Sequence, residues 1–183
     1  HKRTAYERQK IRMAGRGNYA MVRYADDFVV VSNDTIQGVK QAKEEIKEFL
    51  EGNLKLTLSV EKTLITHINK GFNFLGFHIQ RVRPEGKWVT HLRPTQKSVT
   101  KIKTKIKTLT ERSQTLYDEV TKLSQINQVV RGWCNYYRHT SLQADLEMIS
   151  RYAWQRYLLW LLKKHKNSRK QQLVWNKTKR ILN

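Results

Sequence analysis

Two adjacent acids, Asp26 and Asp27, lie between two apolar runs, and no other stretch constrains the fold of this chain as much. The preceding run covers residues 19–22 and the following run covers residues 28–31. Both are rich in β-branched and aromatic residues, so each predicts a strand, with the acids where a hairpin turns. Neighbouring carboxylates repel each other, and burial would disfavour their ionised form. A hard cation such as Mg²⁺ would offset this cost, because it binds carboxylate oxygens and keeps positions open for phosphates.

The acidic pair also has a simpler interpretation. Asp is a favoured turn residue, so an acidic pair in a turn requires no metal. The apolar context favours a metal site, with the aromatic Tyr24 and the small Ala25 directly before the acids. In two-metal sites the ions stabilise both the attacking and the leaving oxygen of a phosphoryl transfer. The hairpin is thus a candidate centre for chemistry on phosphates.

Net charge is the strongest feature of the composition. The 183 residues contain 36 Lys and Arg against 15 Asp and Glu, a net charge of +21. Residues 1–92 carry 16 basic and 10 acidic residues, whereas residues 93–183 carry 20 and 5. Such an excess indicates a nucleic-acid partner, or less often an anionic membrane. No run approaches the roughly 18 apolar residues that a membrane span needs, and the single cysteine excludes a disulfide within these residues.

The rest of the N-terminal half predicts short elements around the hairpin. Residues 1–18 are basic and spaced by glycines, which indicates a connector. Residues 33–35 offer an N-cap for a helix whose apolar residues recur at helical spacing, and Gly52 is expected to end that helix. We expect this helix to pack on the sheet that carries the acids. Residues 54–58 and 64–68 predict two further strands.

A stretch rich in Phe and Gly, residues 71–79, predicts a second hairpin that turns at residues 84–86. Glycine permits close approach of the backbone, and the aromatic rings supply a rigid apolar wall. The simpler interpretation is a core strand, which explains most such runs.

From Pro94 onward the pattern is helical, with Pro94 placed at a helix entrance. One apolar stripe runs from Val99 to Leu123, a shorter helix is predicted near residues 126–137, and a third near residues 142–160. Lysines are concentrated in the first turns. A lysine-rich face is usually only solvated, but five lysines within eleven residues favour a surface that follows phosphates.

Three motifs together resemble a known family. Residues 24–27 (YADD) resemble the strand-turn-strand of the reverse transcriptase palm, and Ala25 is similar to the group II intron lineage. Residues 74–77 (FLGF) resemble the primer grip of the same enzymes. Residues 130–138 (VRGWCNYYR) closely resemble the thumb, or domain X, of group II intron maturases. The resemblance to a group II intron-encoded reverse transcriptase and maturase therefore spans most of residues 19–180.

This resemblance implies an α+β fold: the C-terminal part of a reverse transcriptase palm, with an antiparallel sheet and a packed helix, followed by a three-helix thumb. The implied domains are the palm part with the catalytic hairpin and primer grip (residues 1–92), the helical thumb (residues 93–165), and a basic tail that begins a DNA-binding segment (residues 166–183).

The resemblance also implies roles for individual residues. Asp26 would bind metal most directly, with Asp27 in support, as the catalytic ligands of two Mg²⁺ ions. Tyr24 would border the primer terminus, and Lys62 would contact phosphate or assist proton transfer to pyrophosphate. The nucleotide- and primer-binding set is Tyr24, Ala25, Lys62, Phe74, Leu75, Gly76 and Phe77. The RNA-binding set is Lys97, Lys101, Lys105, Arg131, Asn135, Arg138 and His139.

The implied activity is RNA-directed DNA synthesis, with attack of a primer 3′-hydroxyl on the α-phosphate of a deoxynucleotide. The implied partners are group II intron RNA, an RNA template, a DNA primer, dNTPs and target DNA, without a membrane. The family's fingers and the strand with a further catalytic Asp would precede residue 1, on the same or a separate chain. We therefore expect no polymerase activity from these 183 residues alone, and a cytoplasmic location by default.

Two alternatives remain open at this point. One is an RNA-binding splicing cofactor without polymerase activity, since a thumb surface can hold folded intron RNA without metal chemistry. The other is a reverse transcriptase from a retron or a CRISPR locus, which the domain X motif disfavours.

Overall fold

The chain divides into two compact units, His1–His67 and Ile68–Asn183. In the part of the chain that the structure describes, five helices and five strands form an α+β architecture, as predicted. The division into functional domains at residues 92 and 165 stays a prediction. A computed structural model describes residues 4–15, 17–59, 61, 63–141 and 143–165.

The basic tail, residues 166–183, lies outside the described residues. Within the described ranges, no helix combines the length and the apolar character that crossing a bilayer requires.

The first unit begins with helix α1 (Ala5–Met13), where the sequence predicted a connector. The Thr4 hydroxyl accepts a hydrogen bond from the Glu7 amide at 3.2 Å, and the Glu7 carboxylate accepts one from the Thr4 amide at 2.7 Å. This reciprocal arrangement is a capping box, which satisfies amides that a helix start would otherwise leave unpaired. The prediction was wrong because it weighed charge and glycines and overlooked this Thr-x-x-Glu signal.

The predicted hairpin follows as strands β1 (Tyr19–Tyr24) and β2 (Asp27–Ser32), an antiparallel two-stranded sheet. After it, helix α2 (Ile36–Leu54) starts at Thr35, whose hydroxyl accepts from the amide of the third helical residue at 3.2 Å. The helix carries its apolar stripe as predicted. No side chain of α1, β1, β2 or α2 is fully buried.

Helix α2 continues past Gly52, so the predicted end there was wrong. It closes at Leu54, and Lys55 takes the left-handed conformation (φ 55°, ψ 31°) with its amide donating to the Leu50 carbonyl. The predicted strands at residues 54–58 and 64–68 do not form among the described residues of those spans. The first prediction failed because Leu54, the first of the alternating leucines, belongs to the last turn of α2.

The second unit opens with a three-stranded antiparallel sheet: β3 (Phe72–Phe74), β4 (Phe77–Val82) and β5 (Val89–Pro94). The predicted turn at Pro84–Gly86 joins β4 to β5 as a short 3₁₀ turn. Pro94 ends β5 rather than starting a helix, and Thr95 takes the N-cap position instead, accepting from the Ser98 amide. The placement of Pro94 at a helix entrance was therefore wrong by two residues.

Three helices form the core of this unit: α3 (Gln96–Leu109), α4 (Glu119–Tyr136) and α5 (Gln143–Lys164). The predicted single stripe through Leu123 is interrupted, because the chain turns over residues 110–118. The side chains of Leu116 and Val120 are 93% and 78% exposed and do not belong to the stripe. The core consists of Val99, Ile102, Ile106, Ile126, Ile149, Ala153, Tyr157, Trp160 and Leu161.

Basic and indole groups of α5 hold the loop between α3 and α4. Arg156 Nε donates to the hydroxyl of Thr110 at 3.0 Å, and Trp160 Nε1 donates to the Gln114 carbonyl at 3.1 Å. Lys164 Nζ donates to the Tyr117 carbonyl at 2.6 Å. These cations are engaged in the fold, which separates them from the exposed lysines of α3.

Lys122, on α4, is completely buried, which is unusual for a lysine. Its Nζ donates to Oε1 of Gln125 at 2.8 Å and of Gln114 at 3.2 Å, and it lies 4.3 Å from the centroid of the Tyr117 ring. None of these three contacts is a carboxylate. Burial lowers the pKa of Lys122 because it penalises the charged form.

We expect Lys122→Met to raise the free energy of unfolding near pH 7 by on the order of 1 kcal/mol, since an apolar side chain has no charge to desolvate. The wild-type protein should gain stability as pH rises from the lowered folded pKa toward the unfolded value near 10.4, because the unfolded state then binds more protons. The variant should lose that alkaline gain. Denaturant melts across pH test both, with the exposed Lys107→Met as the matched control.

Candidate functional site

The acidic hairpin turns over two residues, Ala25 and Asp26. Tyr24 is paired with Asp27 across the ladder, so their side chains lie on the same face of the hairpin. Only one of the two acids is therefore in the turn itself, and the other begins β2. Ala25 has a φ of 50°, a conformation that favours glycine. Arg23 Nε donates to the Ala25 carbonyl at 2.8 Å and braces this turn.

Both carboxylates are exposed, and so is the ring of Tyr24, at 65%. The burial cost that the sequence pattern suggested does not apply in this unit. Exposed carboxylate oxygens are the donors that hard divalent cations prefer, so the pair fits part of a metal site. Among the described residues, no group of three or more His, Cys, Asp or Glu side chains could hold a metal ion. The pair thus supplies an incomplete ligand set.

The Phe hairpin has a similarly tight turn, in the second unit. Phe74 is paired with Phe77, and the two turn residues, Leu75 and Gly76, have φ values of 48° and 79°. Positive φ at both positions is the signature of a type I′ turn, which matches the twist of the strands. The predicted primer-binding residues of this motif are all half-buried.

Two tyrosines at the end of α4 contact this turn. Tyr136 donates its hydroxyl to the Leu75 carbonyl at 2.8 Å, and the Tyr137 hydroxyl lies 3.2 Å from the Gly76 carbonyl. The Phe77 ring stacks on Tyr136 at 5.6 Å and meets Tyr137 edge-on at 4.8 Å. The two motifs that resemble the family's primer grip and domain X are therefore joined directly in the structure.

The predicted RNA-binding side chains are all exposed. Lys97, Lys101 and Lys105 follow each other at intervals of four on α3, which places them along one row of the helix surface. Arg131 and Asn135 are likewise four residues apart on α4. Arg138 and His139 lie beyond the end of α4, where Arg138 Nε donates to His139 Nε2 at 3.0 Å.

Sequence reasoning missed three contributors to these sites. Arg23 was counted only as charge, Tyr136 was placed in the motif without a role, and Ser98 was not considered. The Ser98 hydroxyl accepts from Trp133 Nε1 at 3.1 Å and lies 2.7 Å from the Tyr137 hydroxyl. No local sequence pattern predicts such contacts. Lys62, by contrast, was predicted to bind nucleotide and lies outside the described residues.

Comparison with known proteins defines the class of each half. Residues 5–79 match the family model for reverse transcriptase (RNA-dependent DNA polymerase). Residues 99–181 match the model for the group II intron, maturase-specific domain. The chain is a reverse transcriptase segment followed by a maturase-specific domain, and reverse transcriptases generally use divalent metal ions.

Two similar proteins each match about a third of the chain. Protein YkfC of Escherichia coli K12 is 48% identical over 64 residues, 35% of this chain and 17% of YkfC. The group II intron-encoded protein LtrA of Lactococcus lactis is 46% identical over 65 residues, 36% of this chain and 11% of LtrA. The matched segments thus span less than a fifth of either relative. The two family models together support a group II intron-encoded reverse transcriptase and maturase.

Proposed function

We propose that this chain contributes the catalytic hairpin and the thumb of an RNA-directed DNA polymerase of a group II intron, and that its thumb also binds intron RNA during splicing. The observation that carries the polymerase function is the pair of exposed carboxylates at a braced hairpin turn, within the segment that matches reverse transcriptases. RNA-templated primer extension by the natural full-length protein tests the proposal. The protein would act in the compartment that holds the intron RNA, a bacterial cytosol or an organelle.

Asp26 and Asp27 would hold two Mg²⁺ ions together with further ligands. Bound divalent ions supply Lewis acidity at the phosphates and neutralise developing charge. Arg23 fixes the turn by its bond to the Ala25 carbonyl, which limits the positions the two carboxylates sample. Tyr24 would border the primer terminus, and its position on the same face as Asp27 supports this role. Templating by RNA, use of dNTPs and capture of target DNA belong to this proposal.

The maturase function rests on a different observation, the exposed row of lysines on α3. Within the described part of the chain, these side chains form no hydrogen bond or ion pair, unlike Arg156 and Lys164, so their charges are available to bind a polyanion. The match of residues 99–181 to the maturase-specific domain supports intron RNA as that polyanion. This function needs no metal chemistry and could persist in a protein without polymerase activity.

Lys101→Ala/Lys105→Ala should weaken the salt dependence of intron RNA binding. Each phosphate contact contributes about 0.7 to 0.9 to the slope of log affinity against log salt, so the double variant should lose roughly one to two units. Melting temperature should change little, because exposed charges contribute only about 0 to 1 kcal/mol each. Salt titrations of RNA binding alongside thermal melts measure both quantities.

A matched control is Lys47→Ala/Lys55→Ala, which removes two lysines from the first unit. It should leave the slope within experimental error of the wild-type value. If the α3 double variant kept the wild-type slope as well, the lysine row would be a solvated face and not part of the RNA-binding surface.

A further inference from the structure

The tightest connection between the Phe hairpin and the helices is made by side-chain hydroxyls on the carbonyls of a two-residue turn. The Tyr136 hydroxyl donates to the Leu75 carbonyl, and the Tyr137 hydroxyl lies within hydrogen-bond distance of the Gly76 carbonyl. A carbonyl in a turn can bond to water instead, so these contacts are a specific feature of the fold. Their partners are 61 residues apart in sequence.

A second layer of polar contacts orients Tyr137. Its hydroxyl is within hydrogen-bond distance of both Gly76 and Ser98, and a phenol carries one hydrogen but can also accept. Tyr137 can therefore donate to the Gly76 carbonyl while it accepts from the Ser98 hydroxyl, which in turn accepts from Trp133 Nε1. Each donor is used once in this arrangement. The Tyr137 side chain is also 4% exposed, so its ring has little freedom.

The same turn is also bonded by the start of α3. The Gly76 carbonyl also accepts from the Thr95 amide at 2.8 Å, at the start of α3. The sheet edge is held as well, since Arg93 forms a two-point ion pair with Asp145 of α5 at 2.9 and 2.7 Å. The Leu92 carbonyl accepts from the Ser141 amide at 2.8 Å. The sheet and the helices are thus joined at several points. From α4, the two tyrosine hydroxyls make the contacts with the carbonyls of the turn.

We propose that Tyr136 and Tyr137 are positioning residues that fix the Leu75–Gly76 turn to the thumb helices. The Phe hairpin and the thumb helices would then hold the end of a bound primer as one rigid unit. This inference rests on the proposed polymerase function, because it gives the turn a primer to position. Neither tyrosine is assigned a contact with reacting atoms. Their role is to determine how precisely the turn is held.

The space around Gly76 gives the sharpest test of the contact itself. A Cβ at this position would stand 2.6 Å from the Tyr137 hydroxyl oxygen, while the next nearest Tyr137 atom would be 3.7 Å away, an ordinary contact. Gly76→Ala should therefore lower the melting temperature for two reasons, the clash and the positive φ. Tyr137→Phe removes the clashing oxygen and leaves the strain.

Combining the two changes should reverse the sign of one of them. In the wild-type background Tyr137→Phe should lower the melting temperature slightly, whereas in the Gly76→Ala background it should raise it. Residues that do not touch would give additive shifts. Additive shifts, with Tyr137→Phe destabilising in both backgrounds, would refute the contact on which the proposal depends.

The functional test uses the natural full-length protein and the Tyr136→Phe/Tyr137→Phe variant in RNA-templated primer extension. Each lost hydroxyl should raise the KM for primer–template about five-fold, the ratio that corresponds to one ordinary hydrogen bond, while kcat at saturating primer stays within about two-fold. Hydrogen exchange of the Thr95 amide should accelerate, because its acceptor carbonyl is less firmly held. Tyr152→Phe, whose hydroxyl is 3.5 Å from a carbonyl elsewhere in the bundle, is the matched control.

Faster Thr95 exchange together with a raised KM supports the proposal. Faster exchange with an unchanged KM, in a protein that extends primers, overturns the positioning role, and unchanged exchange overturns it as well. A wild-type protein that does not extend primers would instead reject the polymerase function. The contact between the tyrosines and the turn would then be tested by hydrogen exchange of the Thr95 amide and by the sign reversal in melting temperature.

Discussion

Asp26→Asn should abolish RNA-templated DNA synthesis by the natural full-length protein while leaving intron RNA binding nearly unchanged. An amide keeps the shape of the side chain but binds divalent cations poorly, because it has no charge and one oxygen fewer. Loss of a metal-supplied stabilisation of several kcal/mol corresponds to a rate lower by about 1,000-fold or more. Asp27→Asn should behave in the same way.

The exposure of the acid separates this effect from a folding defect. Asp26 lies in a solvent-exposed turn, so its replacement should change the free energy of unfolding by less than about 0.5 kcal/mol. Glu44→Gln, an acid-to-amide change on the exposed face of α2, is the matched control and should retain full activity. Single-nucleotide addition with melts of the same preparations gives both measurements. Wild-type extension by Asp26→Asn would remove the hairpin from the catalytic site.

The local elements of this fold could be predicted because local rules govern them. The hairpin of β1 and β2 follows from two apolar runs on either side of a short acidic stretch, although the turn falls at Ala25–Asp26 rather than at the two acids. The start of α2 follows from a Thr with the right neighbours. The exposed positions of Lys97 and Lys101 follow from helical spacing against the core residues of α3.

The sequence predictions were wrong where a strand was inferred from alternation alone, or a connector from charge alone, without regard to the flanking residues. Leu54 and Leu56 alternate with polar residues, yet the first ends α2 and the second is 57% exposed. The stripe that appeared to continue to Leu123 crosses a loop held by α5 side chains, which no window on the sequence contains.

Contacts between distant residues could not be predicted at all. The bond from Tyr136 to Leu75 joins two motifs that were each recognised alone. The burial of Lys122 contradicts the ordinary expectation for a lysine and depends on two glutamines and a ring that only the bundle brings together. Such sites are where tertiary packing overrides local preference.

Trp160→Ala should have the largest effect of any single change on stability. Trp160 is completely buried in the core of the bundle, where it stacks on Tyr157 with ring centroids 5.9 Å apart. Its indole also donates to the Gln114 carbonyl. Truncation would leave a cavity and an unpaired carbonyl, so the free energy of unfolding should fall by about 3 to 5 kcal/mol.

A loss of this size is a large part of the 5 to 15 kcal/mol that holds a typical domain together. We therefore expect the melting temperature of the second unit to fall by more than about 10 °C. Trp88→Ala is the matched control, because Trp88 is 52% exposed and its ring packs under Arg81 at 4.5 Å. That change should cost no more than about 1 kcal/mol. Equal losses in the two variants would mean that the bundle, with Trp160 at its centre, is not the stabilising core of the thumb.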